Sequence, residues 1–303
     1  MFKLRLAAFL LFVFVVALGA IFIYLLAPHD KEVLEKVDFQ VKEGQRSAEI
    51  AQSLNQERLI KNDFAFYVYL KLIGGKILPG IYELSPSQSG SEIAAILATG
   101  RFKVTRITII EGWRAGQMEK YLVEEKRLKQ MVGFTEAAER YEGYLFPDTY
   151  EIKVDTTIDE LIKLMRDNFD KRTKDLEVTA ETVILASIIE REAQTDAERP
   201  LIAGVYANRI RIGMRLEADP TVQYAKGDWV IINRSDYRNT ISPYNTYLND
   251  GLPPGPICSP GLKSLEAAAN PASHDYIFFF HAKGEIFFSK TLAEHEAKVR
   301  QNF

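Results

Sequence analysis

The segment Ile184-Leu-Ala-Ser-Ile-Ile-Glu190-Arg-Glu192-Ala places an acid directly after six almost wholly apolar positions. Thr179 suits a helix cap, and Glu181 falls in the first turn, where a negative charge complements the dipole. A helix over about 180–193 would be apolar on nearly every side, which predicts a core helix. Glu190 then emerges from dry surroundings. Burial disfavours an ionised carboxylate, the condition for an acid that donates a proton near neutral pH. On a helical wheel it shares its face with Val183, Ala186, Ser187, Ala193 and Gln194, mostly small side chains that leave room for a ligand. The plainer alternative is a helix-end glutamate that is solvated or paired with an arginine such as Arg191. Glu192 points about 200° round the helix from Glu190.

Other chemistry is thin. With 303 residues, the chain has room for two modest domains and a short appendage. A net charge of −3 carries no electrostatic footprint for nucleic acid, which sets that partner class aside. Cys258 is the sole cysteine, so an intrachain disulfide and a cysteine-based zinc site are excluded. His29, His274, His281 and His295 show no metal-binding spacing, and no nucleotide-loop, dinucleotide or serine-hydrolase motif occurs.

Leu6 to Ala27 is uncharged and strongly apolar, long enough to span a bilayer as a helix. Lys3 and Arg5 precede it, so the positive-inside rule puts the N-terminus in the cytoplasm and the rest outside. Ala17-Leu-Gly19 resembles a signal-peptidase site, but Ile21 to Leu26 carries the apolar run beyond it, which favours an uncleaved anchor over residues 1–30.

The remainder is predicted to be α+β: a small module over 31–100 and a larger domain over 101–303. The module reads strand (Phe39–Val41), helix from Ser47, helix from Asn62 or Asp63, strand (Pro79–Leu84), then a capping box Ser89-Gly-Ser-Glu92. That order, with "Val-Lys-Glu-Gly-Gln-Arg-Ser-Ala-Glu-Ile-Ala-Gln-Ser-Leu", resembles a LysM-type glycan-binding module; a structural spacer is the alternative. Beyond it, Val104–Ile110 reads as a strand turning at Glu111-Gly-Trp113 into a helix. Thr157-Ile-Asp-Glu160 is a second capping box, Asp196 a cap for a helix over about 197–212, and Ser259-Pro260 a helix start. Tyr276–Phe280 and Glu285–Ser289 predict a terminal hairpin.

Three non-periodic stretches carry residues that a core does not require. They are Glu142-Gly-Tyr-Leu-Phe-Pro-Asp-Thr-Tyr150, Arg215–Tyr224 with Asp219 and Gln223, and Ser242-Pro-Tyr-Asn-Thr-Tyr247. Aromatic faces suit a pyranose ring, and amides and acids suit its hydroxyls, since buried polar groups must be paired. Each stretch read alone is also an ordinary turn-rich loop.

Taken together, "EGYLFPDTY", "LASIIEREA", "ANRIRIGMRLEADPTVQYA", "SPYNTYLNDGLPPGPI" and "SPGLKSLEAAANPA" resemble the endolytic murein transglycosylase (YceG-like) family, over essentially everything beyond about residue 35. The resemblance implies Glu190 as the catalytic residue and Tyr144, Asn208, Arg215, Asp219, Gln223, Tyr244 and Asn245 as substrate contacts. Ala193 departs from relatives with threonine there. It further implies cleavage of the MurNAc-β-1,4-GlcNAc bond of peptidoglycan without water and without metal or cofactor. One acid then suffices where glycosidases use two, because the sugar's C6 hydroxyl is the nucleophile and leaves a 1,6-anhydro end. The implied setting is the bacterial inner membrane, reached through residues 6–27. Peptidoglycan strands are the substrate, and peptidoglycan synthases or division proteins are candidate partners. Two rivals remain open: a water-using muramidase with Glu192, Glu217 or Asp219 as second carboxylate, and a non-catalytic wall-binding scaffold.

Overall fold

The structure, a computed structural model, describes residues 2–227 and 229–303. It is an α+β fold whose chain divides into two compact units, 1–105 with 151–155, and 106–150 with 156–303.

The first unit opens with α1 (Phe2–Leu26), 25 residues whose only charges are Lys3 and Arg5 near its start, long and apolar enough to cross a membrane. Its end is docked rather than loose. Leu26 is buried against Gly90, Lys61 Nζ lies 4.4 Å from the Tyr24 ring centroid, and the Asp30 N–H donates to the Pro86 carbonyl. Then come β1 (Val37–Val41), α2 (Ser47–Gln56), α3 (Asp63–Leu72), β2 (Gly80–Leu84) and α4 (Gly90–Thr99). β1 and β2 pair antiparallel with Phe39 opposite Tyr82. Alternation along both strands buries Phe39, Val41, Tyr82 and Leu84 against Ile50, Leu54, Phe66, Ile93 and Leu97 of the helices. Asn62 caps α3, Ser89 and Glu92 close a reciprocal box on α4, and Gly100 ends α4 in the left-handed region.

The chain leaves this unit within β3 (Val104–Thr108). The second unit continues with α5 (Ala115–Lys120) and α6 (Phe134–Ala138); β4 (Thr149–Lys153), which pairs with β3, begins in the second unit and ends in the first, and α7 (Ile158–Thr173), opened by the Thr157–Glu160 box, belongs to the second. Next is α8 (Ala180–Glu192), in which Val183 to Ile189 are buried without interruption. Thr179 caps it by accepting the Thr182 N–H. α9 (Arg199–Arg211), α10 (Asp219–Ala225), α11 (Asp236–Asn239) and α12 (Leu262–Ala269) follow, and α8 packs against α9, α10 and α12. The hairpin β5 (Phe278–Ala282) and β6 (Glu285–Ser289) turns on Lys283 and Gly284, both at positive φ, before α13 (Leu292–Asn302).

Two helix starts differ from the sequence reading. Asp196 pairs with Arg199 Nε at 3.1 Å instead of capping, and α9 begins at Arg199. α12 begins at Leu262 rather than at Pro260. Ser259 is held in a two-way backbone bond with Gly112 and Trp113, and the Gly261 N–H is given to a side chain of α8.

Candidate active site

The last turn of α8 presents Glu190, Arg191 and Glu192 about 100° apart, so three consecutive charges face three surroundings. Glu190 faces α9 and α12. Its Oε2 accepts the Gly261 N–H at 2.9 Å and the Ser264 hydroxyl at 2.8 Å, and Arg199 Nη1 lies 3.2 Å from Oε1. Arg199 also donates to Ser264 Oγ at 2.5 Å. The Glu190 side chain is only 7% exposed, so its surroundings are as dry as the sequence implies. They are not bare, however. Two hydrogen-bond donors and a guanidinium already occupy the carboxylate. Beside it, burial raises Glu111, and the Glu190 charge raises it further, against the pull of Arg199. A Cβ on Gly261 would meet the Glu111 carboxylate, which would have to swing aside to admit it.

Arg191 points elsewhere. Its guanidinium sits 4.2 Å from the centroid of Trp229, and a Cβ on Gly112 would come within 3.1 Å of its Nη1.

Glu192 is half-buried. The Tyr206 hydroxyl donates to its Oε1 at 3.0 Å, the one hydrogen bond to this carboxyl among the described residues. Burial and then the Asp219 charge push Glu192 up to about 7; the Tyr206 bond and Arg209 oppose them. Asp219 opens α10 and is fixed by the Tyr247 hydroxyl at 2.6 Å, with the Tyr237 hydroxyl at 3.5 Å. Those two rings stack at 4.2 Å. The result is a partly accessible acid beside a fixed negative charge, the combination that keeps a carboxyl protonated near neutrality.

Two cavities lie nearby. One, of about 620 Å³, is walled by Arg114, Gln117, Glu119, Glu142, Tyr224 and Trp229. The other, of about 380 Å³, is walled by Glu142, Tyr144, Ile184, Tyr224, Tyr244 and Pro256. Arg114 lies over the Tyr224 ring at 4.3 Å, and Tyr224 meets Tyr244 at 4.6 Å. Neither Glu190 nor Glu192 lines these cavities; Arg191, between them in sequence, reaches the wall through Trp229.

The seven expected contacts separate. Tyr144 and Tyr244 face the smaller cavity, and Asp219 stands beside Glu192. The other four are occupied in bracing the chain. Asn208 Nδ2 donates to the His274 and Tyr276 carbonyls. Asn245 is fully buried, donating to the Tyr237 and Thr240 carbonyls. Arg215 binds Asp250 and the Tyr247 carbonyl, and Gln223 donates to the Val230 carbonyl. Glu142, a loop acid in the sequence reading, is a wall of both cavities. Its signal was present in Glu142-Gly143: a Cβ on Gly143 would sit 2.5 Å from Pro256, so the loop there presses against the proline segment. No group of three or more His, Cys, Asp and Glu suited to a metal occurs among the described residues.

Residues 39–301 match the profile of the YceG-like family. The chain belongs to that family. This YceG-like chain is 32% identical to a Bacillus subtilis protein named endolytic murein transglycosylase, covering 94% of this chain and 91% of that one. A Streptococcus pneumoniae protein of the same name is 29% identical over 97% of this chain, which spans 64% of that longer relative. A crystal structure of a YceG-like protein from Listeria monocytogenes superposes with a TM-score of 0.55 at 30% identity, covering 87% of this chain and 99% of that one.

Proposed function

We propose that this chain is an endolytic murein transglycosylase, held at a membrane by α1, in which Glu192 is the general acid and base. The names of the Bacillus and Streptococcus relatives support the activity. The observation that carries the assignment is the Glu192 carboxyl, pushed up to about 7 and held by Tyr206 beside Asp219. This moves the acid from Glu190, the residue implied by the family resemblance, two positions along the helix. Glu190 is committed to Arg199, Gly261 and Ser264, so donating a proton to substrate would require breaking those contacts. Its role is to position α12 against α8.

In the proposed cycle, the Glu192 O–H protonates the glycosidic oxygen between N-acetylmuramic acid and N-acetylglucosamine as the C1–O bond breaks. Asp219 opposes the positive charge that develops on the sugar. The Glu192 carboxylate then takes the proton of the C6 hydroxyl as that oxygen closes on C1, leaving a 1,6-anhydro end. Nucleophile and anomeric carbon belong to one ring, so no water has to be bound. Tyr144 and Tyr244 contact the glycan. The strand–helix–helix–strand module of the first unit is a second, LysM-like glycan contact.

α1 is about 37 Å long at 1.5 Å per residue, enough for a hydrocarbon core of roughly 30 Å. Lys3 and Arg5 favour a cytoplasmic N-terminus and an enzyme facing the cell wall across the inner membrane. A water-using muramidase is the second reading, because Asp219 places another carboxylate close to Glu192. Mass spectrometry of purified peptidoglycan after incubation with the protein separates the two. Anhydro ends that vanish with Glu192→Gln are expected, and reducing ends only would establish the muramidase.

A further inference from the structure

Glu142 takes no part in the cleavage step, yet its carboxyl is among the least satisfied polar groups of the second unit. Oε2 accepts the Ala115 N–H at 3.2 Å, which ties it to the first turn of α5. Oε1 is shut off from solvent and has no hydrogen-bond partner among the described residues. A buried polar atom left unpaired costs about 1–3 kcal/mol, so a ligand group that reached it would recover that cost. Glu142 also forms part of the wall of both cavities, with Tyr224 beside it in each. Burial pushes it up to about 7 against the weaker pull of the Ala115 N–H, Arg114 and the Gly143 N–H. Below that pH the group is an O–H donor.

The lining narrows the ligand. Glu119, Glu136 and Glu139 also border the larger cavity and outnumber its one lining cation among the described residues, Arg114, a field unfavourable to a phosphate or carboxylate. Tyr144, Tyr224 and Tyr244 present ring faces and hydroxyls in the smaller one. A neutral donor among aromatic faces fits an uncharged ring that carries a strong acceptor, which describes the acetamido group of an N-acetylated sugar. We propose that Glu142 and these three tyrosines form an N-acetylsugar subsite in which the protonated Glu142 carboxyl donates to the acetamido carbonyl. The proposal rests on the glycan-cleaving reading and adds to it a specificity residue whose contribution is lost when it ionises.

The test uses full-length protein in detergent carrying Glu192→Gln, so that Glu192 neither cleaves nor titrates. Binding of purified uncrosslinked glycan strands is measured from pH 5.5 to 8.5. Affinity should fall up to tenfold per pH unit above about 7, because only the protonated form donates. Adding Glu142→Gln should flatten that dependence at the high-affinity level, since an amide N–H replaces the O–H. Adding Glu142→Ala should weaken binding about tenfold at pH 5.5. Flat affinity with Glu142 present, affinity that rises with pH, or an equal slope in the glutamine variant would each overturn the subsite. If the alanine variant does not fold, the glutamine arm decides alone. A wild-type protein that binds strands with this pH signature but releases no anhydro ends would refute the reaction and leave the subsite standing.

Discussion

The Tyr206 hydroxyl and the Glu192 carboxyl meet at 3.0 Å, a buried donor against an acid that burial and then the Asp219 charge push up to about 7. Their opposing effects make the acid tunable. Tyr206 lowers Glu192 and Asp219 raises it. The alkaline limb of the kcat profile reports ionisation of the acid. It should therefore move to higher pH in Tyr206→Phe and to lower pH in Asp219→Asn. Anhydro-end release between pH 5 and 9 checks both directions, and a limb unmoved in both variants would remove Glu192 from the reaction.

Glu192→Gln should keep the fold and reduce the rate by roughly 10²–10⁴-fold, the usual contribution of a general acid–base. Glu190→Gln should do the reverse, retaining most of the rate while losing about 1–3 kcal/mol of stability. Its amide oxygen still accepts from Gly261 and Ser264, and Asp196 still faces Arg199, so the lock is weakened rather than broken. Rates and thermal melts measured on both variants distinguish the two residues. A folded Glu190→Gln protein without activity would return the acid to Glu190.

Which glutamate faces which partner was not legible in the sequence. The run before Glu190 announces a buried helix, and the Thr179, Ser89 and Thr157 caps lie where local hydrogen bonding requires them. Those are short-range effects. That Gly261 and Ser264 land on the Glu190 face depends on a contact more than 70 residues away, which no local pattern encodes. The polar loops fail for a related reason. Asn245 and Asn208 have the chemistry of sugar ligands, but the same amide is equally suited to bracing irregular backbone, and there the structure uses it. Glu142 was visible as an acid among aromatics. Its unpaired oxygen arises only from packing.

Stability should fall as pH rises from about 4.5 to 7. Glu142 and Glu192 are both raised to about 7 from an ordinary value of 4.5, so across that window the folded state holds protons that the unfolded state releases. Each group thus favours folding most at low pH and loses that contribution as it ionises. Glu142→Gln should flatten the melting-temperature slope over this range and be more stable relative to wild type at pH 8 than at pH 5. An unchanged slope would contradict the raised state of Glu142.

Gly261→Ala should be mildly destabilising, by at most about 1 kcal/mol, although Gly261 has φ −75° and no backbone strain. The obstacle is the Glu111 carboxylate, which occupies the space of the missing Cβ. Truncating Glu111 to alanine in the same protein should recover most of the loss. Additive losses in the double variant would show that the two residues do not share that space.

Because Glu190, Arg191 and Glu192 meet Arg199, the Trp229 ring and the Tyr206 hydroxyl on successive 100° steps, the length of the apolar run ahead of them sets which charge meets which partner. Inserting one alanine between Thr179 and Glu190 would preserve every residue named in the site while advancing each charge into its neighbour's surroundings. The register of α8 should therefore tolerate substitution far better than any change in residue count, and homologues should vary in the identity of these apolar residues but not in their number.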